Sequence, residues 1–473
     1  MTAIKFGTDG WRAVIGRDYT FDNVALCAQG VAQYLRSEGR TRGGLMVGYD
    51  TRFASEEFAA EVAQVLAGNG IVAHLCDRAS PTPVVSYNIL ARKAEGAAII
   101  TASHNPWQWN GFKYKPEYAG SATTEVTARL EQEIERAAVH GVKRLPLEEA
   151  RKRGLLLDVD PTGPYLENLA RLVDFPALRG AGLRIASDAM WGAGAGYFPT
   201  VLSNGSTRVE EIHGGRNPLF PDMSNPEPIA HNLVPLSHCI QRTRADVGLA
   251  LDGDADRFGL VDERGESITT LQTFSLLCLY LLEVRKQRGP LVRSITMSGM
   301  VNKLGVAFGV PVFETPVGFK FLGPVFMRED ALAAGEESGG YAFRGNIPER
   351  DGIISGLMFL DMMVKTGKRP SELLAHLFDV VGPHFYDRWD VHFDPERRKA
   401  TQERLAAARP DSLAGKQVER IDTQDGHRFL LAGGHWCLVR FSGTEPLVRM
   451  YAEAESPDAV KRLLESVRDL AGL

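Results

Sequence analysis

Short apolar runs alternate along the chain with stretches whose apolar residues recur every three to four positions, the two periods that separate strands from amphipathic helices. Residues 21–35 have helical spacing and 45–49 read as a strand. Ser55 predicts a helix cap, with Phe58, Val62, Val65 and Leu66 on one face behind it, and 71–76 predict a strand again. Residues 81–93 lead into a further apolar run, 96–101, which ends because His104-Asn105-Pro106 cannot continue a sheet. This is βαβ logic and predicts a mostly parallel sheet. It also places Ser103 on the loop beyond the carboxyl end of a strand, where open α/β sheets hold their ligands, so Ser103 is a candidate nucleophile.

After Asp158-Val159-Asp160-Pro161-Thr162-Gly163-Pro164 a helical stretch leads to a second α/β unit, opened by a strand at 183–187 and closed by one at 247–251. A third runs from about 266 to 368, with a long apolar helix near 274–284 and a strand at 311–314. Beyond about Pro383 the pattern changes: 389–393, 429–431 and 436–441 read as strands flanked by helices near 395–408 and 457–470, an α+β arrangement. The expected division is three consecutive α/β domains with mixed or parallel sheets, 1–155, 156–264 and 265–375, then an α+β domain, 383–473.

A chain of 473 residues is too long for one core, in keeping with several domains. The net charge of -5 offers no overall basic field for nucleic acid, so a doubly anionic substrate needs locally clustered Arg and Lys. The five cysteines, Cys27, Cys76, Cys239, Cys278 and Cys437, are scattered and never form Cys-x-x-Cys, which argues against a disulfide framework or zinc and for a reducing cytoplasm. The opening residues carry no apolar leader pattern and the longest apolar run, 276–282, is far short of a membrane span, so neither a targeting segment nor a membrane partner is expected.

Three further stretches carry chemistry. Asp252, Asp254 and Asp256 alternate, so in extended backbone their carboxylates share a face and converge on a hard cation. A calcium EF-hand would explain Glu263 at the twelfth position, but Arg257 stands where that loop needs glycine and the flanks 247–251 and 258–261 are strand-like. Magnesium with an incoming phosphate oxygen fits better. Arg440-Phe441-Ser442-Gly443-Thr444 follows a strand and offers a guanidinium fork, two hydroxyls and backbone N–H groups, a phosphate cradle with Arg449 on the next strand as a second cation. The loop 335–340 supplies Glu336 and Ser338 for sugar hydroxyls. By contrast, Gly192-Ala193-Gly194-Ala195-Gly196-Tyr197 is a broken dinucleotide fingerprint and reads as a tight strand-to-helix turn, and no Walker A sequence occurs.

The order and spacing of these stretches, Thr101-Ala102-Ser103-His104-Asn105-Pro106 first, resemble the α-D-phosphohexomutase family, the phosphoglucomutases and phosphomannomutases, over essentially the whole chain. The resemblance implies that Ser103 is phosphorylated in the active state and that Mg2+ bridges its phosphate, as a ligand from Ser103, to Asp252, Asp254 and Asp256. It implies that Glu336 and Ser338 grip the sugar ring, and that Arg440, Ser442, Gly443, Thr444 and Arg449 hold the phosphate that is not reacting. Phe6-Gly7-Thr8-Asp9-Gly10-Trp11-Arg12 looks like the family's opening segment, with Arg12 near the phosphoserine, and Asn110-Gly111-Phe112-Lys113 like the segment carrying the general acid or base. Ser103, Lys113, Arg12 and His104 are thus the catalytic candidates.

Thr315-Pro316-Val317-Gly318-Phe319-Lys320 and Pro348-Glu349-Arg350-Asp351-Gly352 look like phosphoglucomutase segments, which adds Gly318, Lys320 and Arg350, with Arg257, to the substrate set. Arg350 stands where the family usually has a phosphate-contacting lysine and Val317 where threonine is frequent. Gly340 replaces the histidine that ends the sugar loop in dual phosphomannomutases and phosphoglucosamine mutases. The implied reaction is interconversion of glucose 1-phosphate and glucose 6-phosphate through glucose 1,6-bisphosphate, by four domains around a central cleft, in a cytoplasmic monomer or homodimer. Mannose or glucosamine phosphates are the alternative substrates within the family. A magnesium-dependent phosphoserine phosphohydrolase and a non-catalytic sugar-phosphate binding module are the alternatives outside it.

Overall fold

The computed structural model describes residues 4–7, 9–393, 395–441 and 447–473. Four sheets follow one another along the chain. The first has six strands in the order Trp11–Val14, Trp109–Pro116, Gly96–Ile100, Leu45–Tyr49, Ala73–Cys76, Leu156–Val159. Its inner pairs are parallel, and Trp109–Pro116 runs antiparallel to both its neighbours. The strand Leu156–Val159, beyond the expected boundary at 155, therefore belongs with the first sheet.

The second sheet orders Ser267–Ile268, Phe258–Val261, Val247–Leu251, Arg184–Asp188, Arg208–Ile212, and the third orders Val312–Thr315, Leu291–Ser294, Ala333–Gly335, Tyr341–Phe343, both with parallel and antiparallel pairs. The last is a six-stranded antiparallel sheet, Phe385–His392, Leu447–Ala454, His435–Phe441, His427–Leu431, Lys416–Asp422, Ser412–Leu413, packed on the helix Pro457–Ala471. The architecture is thus three α/β domains with mixed sheets followed by an α+β domain with an antiparallel sheet, as the hydrophobic pattern predicts. A single apolar core runs from Tyr165 through Leu251 and Phe274 to Val381, so the second and third sheets are packed into one body.

Two local readings need correction. Ser55 is the first residue of its helix, Ser55–Gly68, and not the cap; Ala54 precedes it at φ 57. Its buried hydroxyl is committed over longer range, donating to Asp50 and accepting from Asn110, which ties the helix start to the Asp50 turn and to the strand Trp109–Pro116. The long apolar helix starts earlier than expected, at Thr270–Leu279 with a π-helical last turn Tyr280–Val284, because Thr269 and Gln272 form a reciprocal capping box ahead of the apolar run. No helix among the described residues is long and apolar enough to cross a membrane.

Candidate active site

The strand Gly96–Ile100 is buried throughout, and the chain leaves it through a bend in which Ser103 takes φ 52. The Ser103 N–H donates to the Thr101 hydroxyl at 2.9 Å, which holds the bend. Its Oγ, in a side chain only 1% exposed, donates to Asp252 Oδ2 at 2.9 Å and lies 3.2 Å from Nδ1 of His104. Burial and the cations Arg257, Arg12, Lys113 and Arg350 push the His104 pKa well below its ordinary value, so the ring beside the hydroxyl is a neutral imidazole. Arg12 donates to the Asn105 side chain at 2.6 Å, which brings the opening segment onto the same loop.

The three aspartates converge, but not along an extended strand. Successive same-face residues of a strand sit roughly 6.6 Å apart, too far for three carboxylates to meet. The chain instead turns: the Ala255 N–H bonds to the Asp252 carbonyl at 3.0 Å and Ala255 sits at φ 56, so ligand oxygens of Asp252, Asp254 and Asp256 lie within 4.8 Å of one another. All three side chains are buried. Gly253 allows the approach to the serine loop, since a Cβ there would come within 2.5 Å of the Ser103 carbonyl oxygen. Asp254 Oδ1 and Asp256 Oδ1 are buried acceptors without a hydrogen-bond partner among the described residues. Orphaned oxygens in a crowded acidic triad suit a hard divalent cation. Burial, then Asp254 and Asp256, drive the Asp252 pKa well above the ordinary carboxylate range. At Asp254 burial pushes the same way but is outweighed by Lys113 and Thr82, which hold the carboxyl below that range.

Lys113 is buried, with Nζ 2.8 Å from Asp254, 2.9 Å from Asp9 and 3.3 Å from Asp256. Burial alone would lower its pKa, but the three carboxylates raise it, so it stands as an ammonium. Around it runs a buried ladder of charge. Arg350 pairs with Asp9 at 2.8 Å, Asp256 at 2.9 Å and Glu349 at 3.2 Å and stands 3.9 Å from Glu336, while Lys115 joins Asp9 to Glu349. Arg350, which the resemblance sets against phosphate, thus has its charge committed to carboxylates in this state. Arg257 is paired with Glu227, and its backbone N–H donates to Asp252.

The sugar loop is the tight connection between Ala333–Gly335 and Tyr341–Phe343. Glu336 Oε1 accepts the Gly318 N–H at 2.7 Å, and Ser338 Oγ has no hydrogen-bond partner among the described residues. Gly318 takes φ 124, and Lys320, in the first turn of Phe319–Arg328, lies over the Phe321 ring. Burial pushes the Glu336 carboxyl up to about 7 against the opposing pull of Arg350 and Arg257. A carboxyl raised in the folded state stabilises most below the ordinary value of 4.5, and that contribution is lost as pH rises through about 7. The difference is on the order of 3 kcal/mol, so Glu336→Gln is expected to flatten the fall of thermal midpoint between pH 4.5 and about 7. Melting curves at several pH values, with the wild-type slope retained in the variant, would refute this.

In the last domain Arg440 and Arg449 are direct cross-strand partners and so face the same way. Arg440 Nε donates to Asp425 at 2.9 Å, and the other oxygen of Asp425 accepts the Val317 N–H at 3.0 Å, which links this face to the Gly318 loop. Arg449 lies 3.9 Å from Asp390. Ser442, Gly443 and Thr444 lie outside the described residues. The sequence motifs overlook Thr82, which donates to Asp254, and Asp425, Lys115 and Arg52. For Arg52 a signal exists: Asp50-Thr51-Arg52 is a polar cluster at the carboxyl end of a buried strand.

Four matches to known families fall in chain order. The family models for phosphoglucomutase/phosphomannomutase alpha/beta/alpha domains I, II and III match residues 3–140, 163–265 and 271–381, and that for the C-terminal domain matches 395–470. A phosphoglucomutase/phosphomannomutase of Thermococcus kodakarensis is 30% identical, covering 97% of this chain and 96% of its own. A phosphoglucosamine mutase of Acetivibrio thermocellus is 27% identical over 98% of both chains. A crystal structure from Thermus thermophilus, provisionally described as a phosphomannomutase, superposes with a TM-score of 0.86 at 33% identity, covering 100% of this chain and 99% of that one.

Proposed function

The chain belongs to the phosphoglucomutase/phosphomannomutase family of phosphotransferring isomerases, and we propose that within it the protein interconverts glucose 1-phosphate and glucose 6-phosphate in the cytoplasm, as a monomer or homodimer. The observation that carries this reading is Ser103 Oγ bonded to Asp252 beside two orphaned carboxylate oxygens and a set of buried cations. Asp252, Asp254 and Asp256 would hold Mg2+ together with an oxygen of the Ser103 phosphate. When bound, the cation supplies electrostatic stabilisation to the phosphoryl group in transfer.

In the first half-reaction the bond from phosphorus to Ser103 Oγ breaks and one from phosphorus to the free sugar hydroxyl forms. Lys113 and His104, whose Nδ1 lies 3.2 Å from Ser103 Oγ, carry the proton from the sugar hydroxyl to the departing serine oxygen. Arg12 balances charge on the loop. Glucose 1,6-bisphosphate then reorients, and the reverse steps return its other phosphoryl to Ser103. Glu336 and Ser338, with the Gly318–Lys320 loop and Arg257, orient the ring. Arg440 and Arg449, with Ser442, Gly443 and Thr444, grip the idle phosphate.

The glucose assignment rests on Gly340, which leaves the sugar loop without an imidazole, and mannose and glucosamine phosphates are the competing substrates. Glucose, mannose and glucosamine 1-phosphates assayed side by side, with inorganic phosphate release followed, decide among them. Fastest turnover of another hexose would replace the assignment, and stoichiometric phosphate release would turn the reading into a phosphohydrolase. A bidentate Arg-phosphate contact is worth on the order of 1.5 to 3 kcal/mol, so Arg440→Ala is expected to raise KM about ten-fold or more with the fold intact. The variant should also shed the bisphosphate and need more of it added to sustain turnover. Wild-type kinetics with no greater bisphosphate requirement would remove Arg440 from the phosphate grip.

A further inference from the structure

Arg52 lies in the turn after Leu45–Tyr49, is wholly buried and belongs to none of the motifs. One terminal nitrogen of its guanidinium donates to the carbonyls of Ser103 and Asn105, at 2.6 Å each. The other donates to those of Pro106 and Trp109, at 3.0 Å each. Asp50 faces its Nε at 3.3 Å and also accepts the Arg52 backbone N–H. Phe220, reaching in from the second domain, covers the guanidinium with its ring centroid 4.9 Å from the central carbon. One planar group therefore spans the whole bend that presents the Ser103 side chain.

The Ser103 carbonyl is bonded by Arg52 and packed so closely on Gly253 of the aspartate loop that a Cβ there would collide with it. Rotation of that peptide would carry Oγ away from Asp252. Buried carbonyls in a bend need donors, and a guanidinium offers five in a fixed plane where an ammonium offers three on a flexible stem. We propose that Arg52 is a positioning residue for phosphoryl transfer, fixing Ser103 Oγ against Asp252 without touching substrate. The inference rests on Ser103 being the phosphoryl carrier.

Arg52→Ala would strand Asp50 as a buried unpaired charge, so Arg52→Lys, which keeps the charge and loses the plane, is the informative variant. A misplacement of about 1 Å costs on the order of 100-fold, and kcat per phosphorylatable serine is expected to fall by that much while KM for glucose 1-phosphate stays within about threefold. Phosphorylation of Ser103 by glucose 1,6-bisphosphate, read by intact mass, should slow by the same factor. A residue that merely supported the fold would lower the amount of active enzyme and leave kcat per phosphorylatable serine unchanged, which overturns the proposal. Hydrogen exchange provides a readout independent of turnover: amides of 103–110 should exchange at least about tenfold faster in the variant, with the other domains unchanged. If the wild-type protein lacks mutase activity the functional reading fails first. Unchanged exchange in Arg52→Lys then separately removes the anchor.

Discussion

Ser103→Ala is expected to lower mutase turnover by about four to six orders of magnitude, the range seen when a covalent nucleophile is deleted from an intact site. The substitution removes one oxygen from a buried side chain and keeps the Cβ, so the φ 52 bend and the Arg52 bonds to backbone carbonyls survive it. Sugar phosphate should still bind, because Glu336, Gly318 and Arg440 sit on other segments of the chain. Calorimetric titration with glucose 1-phosphate, steady-state turnover, and intact mass after incubation with glucose 1,6-bisphosphate separate the terms. Binding without turnover and without an added phosphoryl group is the expected triplet. Turnover within about tenfold of wild type would show that another group carries the phosphoryl.

Removal of the cation should be nearly as severe. Asp254→Asn deletes one of three anionic ligands and is expected to weaken Mg2+ about tenfold or more, with activity falling further because Asp254 also holds Lys113 and accepts from Thr82. The same site predicts the pH dependence of metal binding. Asp252 retains its proton to higher pH than an ordinary carboxyl, so Mg2+ must displace it, and apparent affinity should weaken as pH falls. Calorimetry in two buffers of different protonation enthalpy reports the released proton. Equal Mg2+ affinity in Asp254→Asn and wild type would place the cation elsewhere, and no proton release would show that Asp252 is already ionised.

The helices and strands are legible wherever one face is buried, since apolar spacing is set by that face; thus the bounds expected at 45–49 and 247–251 match the strands found. The serine and aspartate loops are legible because their chemistry is local in sequence. What escapes is set by distant partners. Ser55 looks like a cap until Asp50 and Asn110 are seen to claim its hydroxyl, and the aspartates look like a strand face until the bend at Ala255 gathers them. Arg52 bonds residues some fifty positions on, and Asp425 meets Val317 across two domains. No local periodicity encodes such pairs.

The ladder of Asp9, Lys113, Lys115, Glu349, Arg350 and Asp256 constrains how this sequence can drift. Each member balances neighbours from another stretch of chain, and neutralising any one of them leaves the buried cluster with one uncompensated charge, at a cost of about 3 to 5 kcal/mol. Arg350→Lys would keep the charge but trade a fork serving Asp9, Asp256 and Glu349 for a single ammonium, so it should lose part of those contacts. A substrate-switching library built here would have to vary these sites as a block.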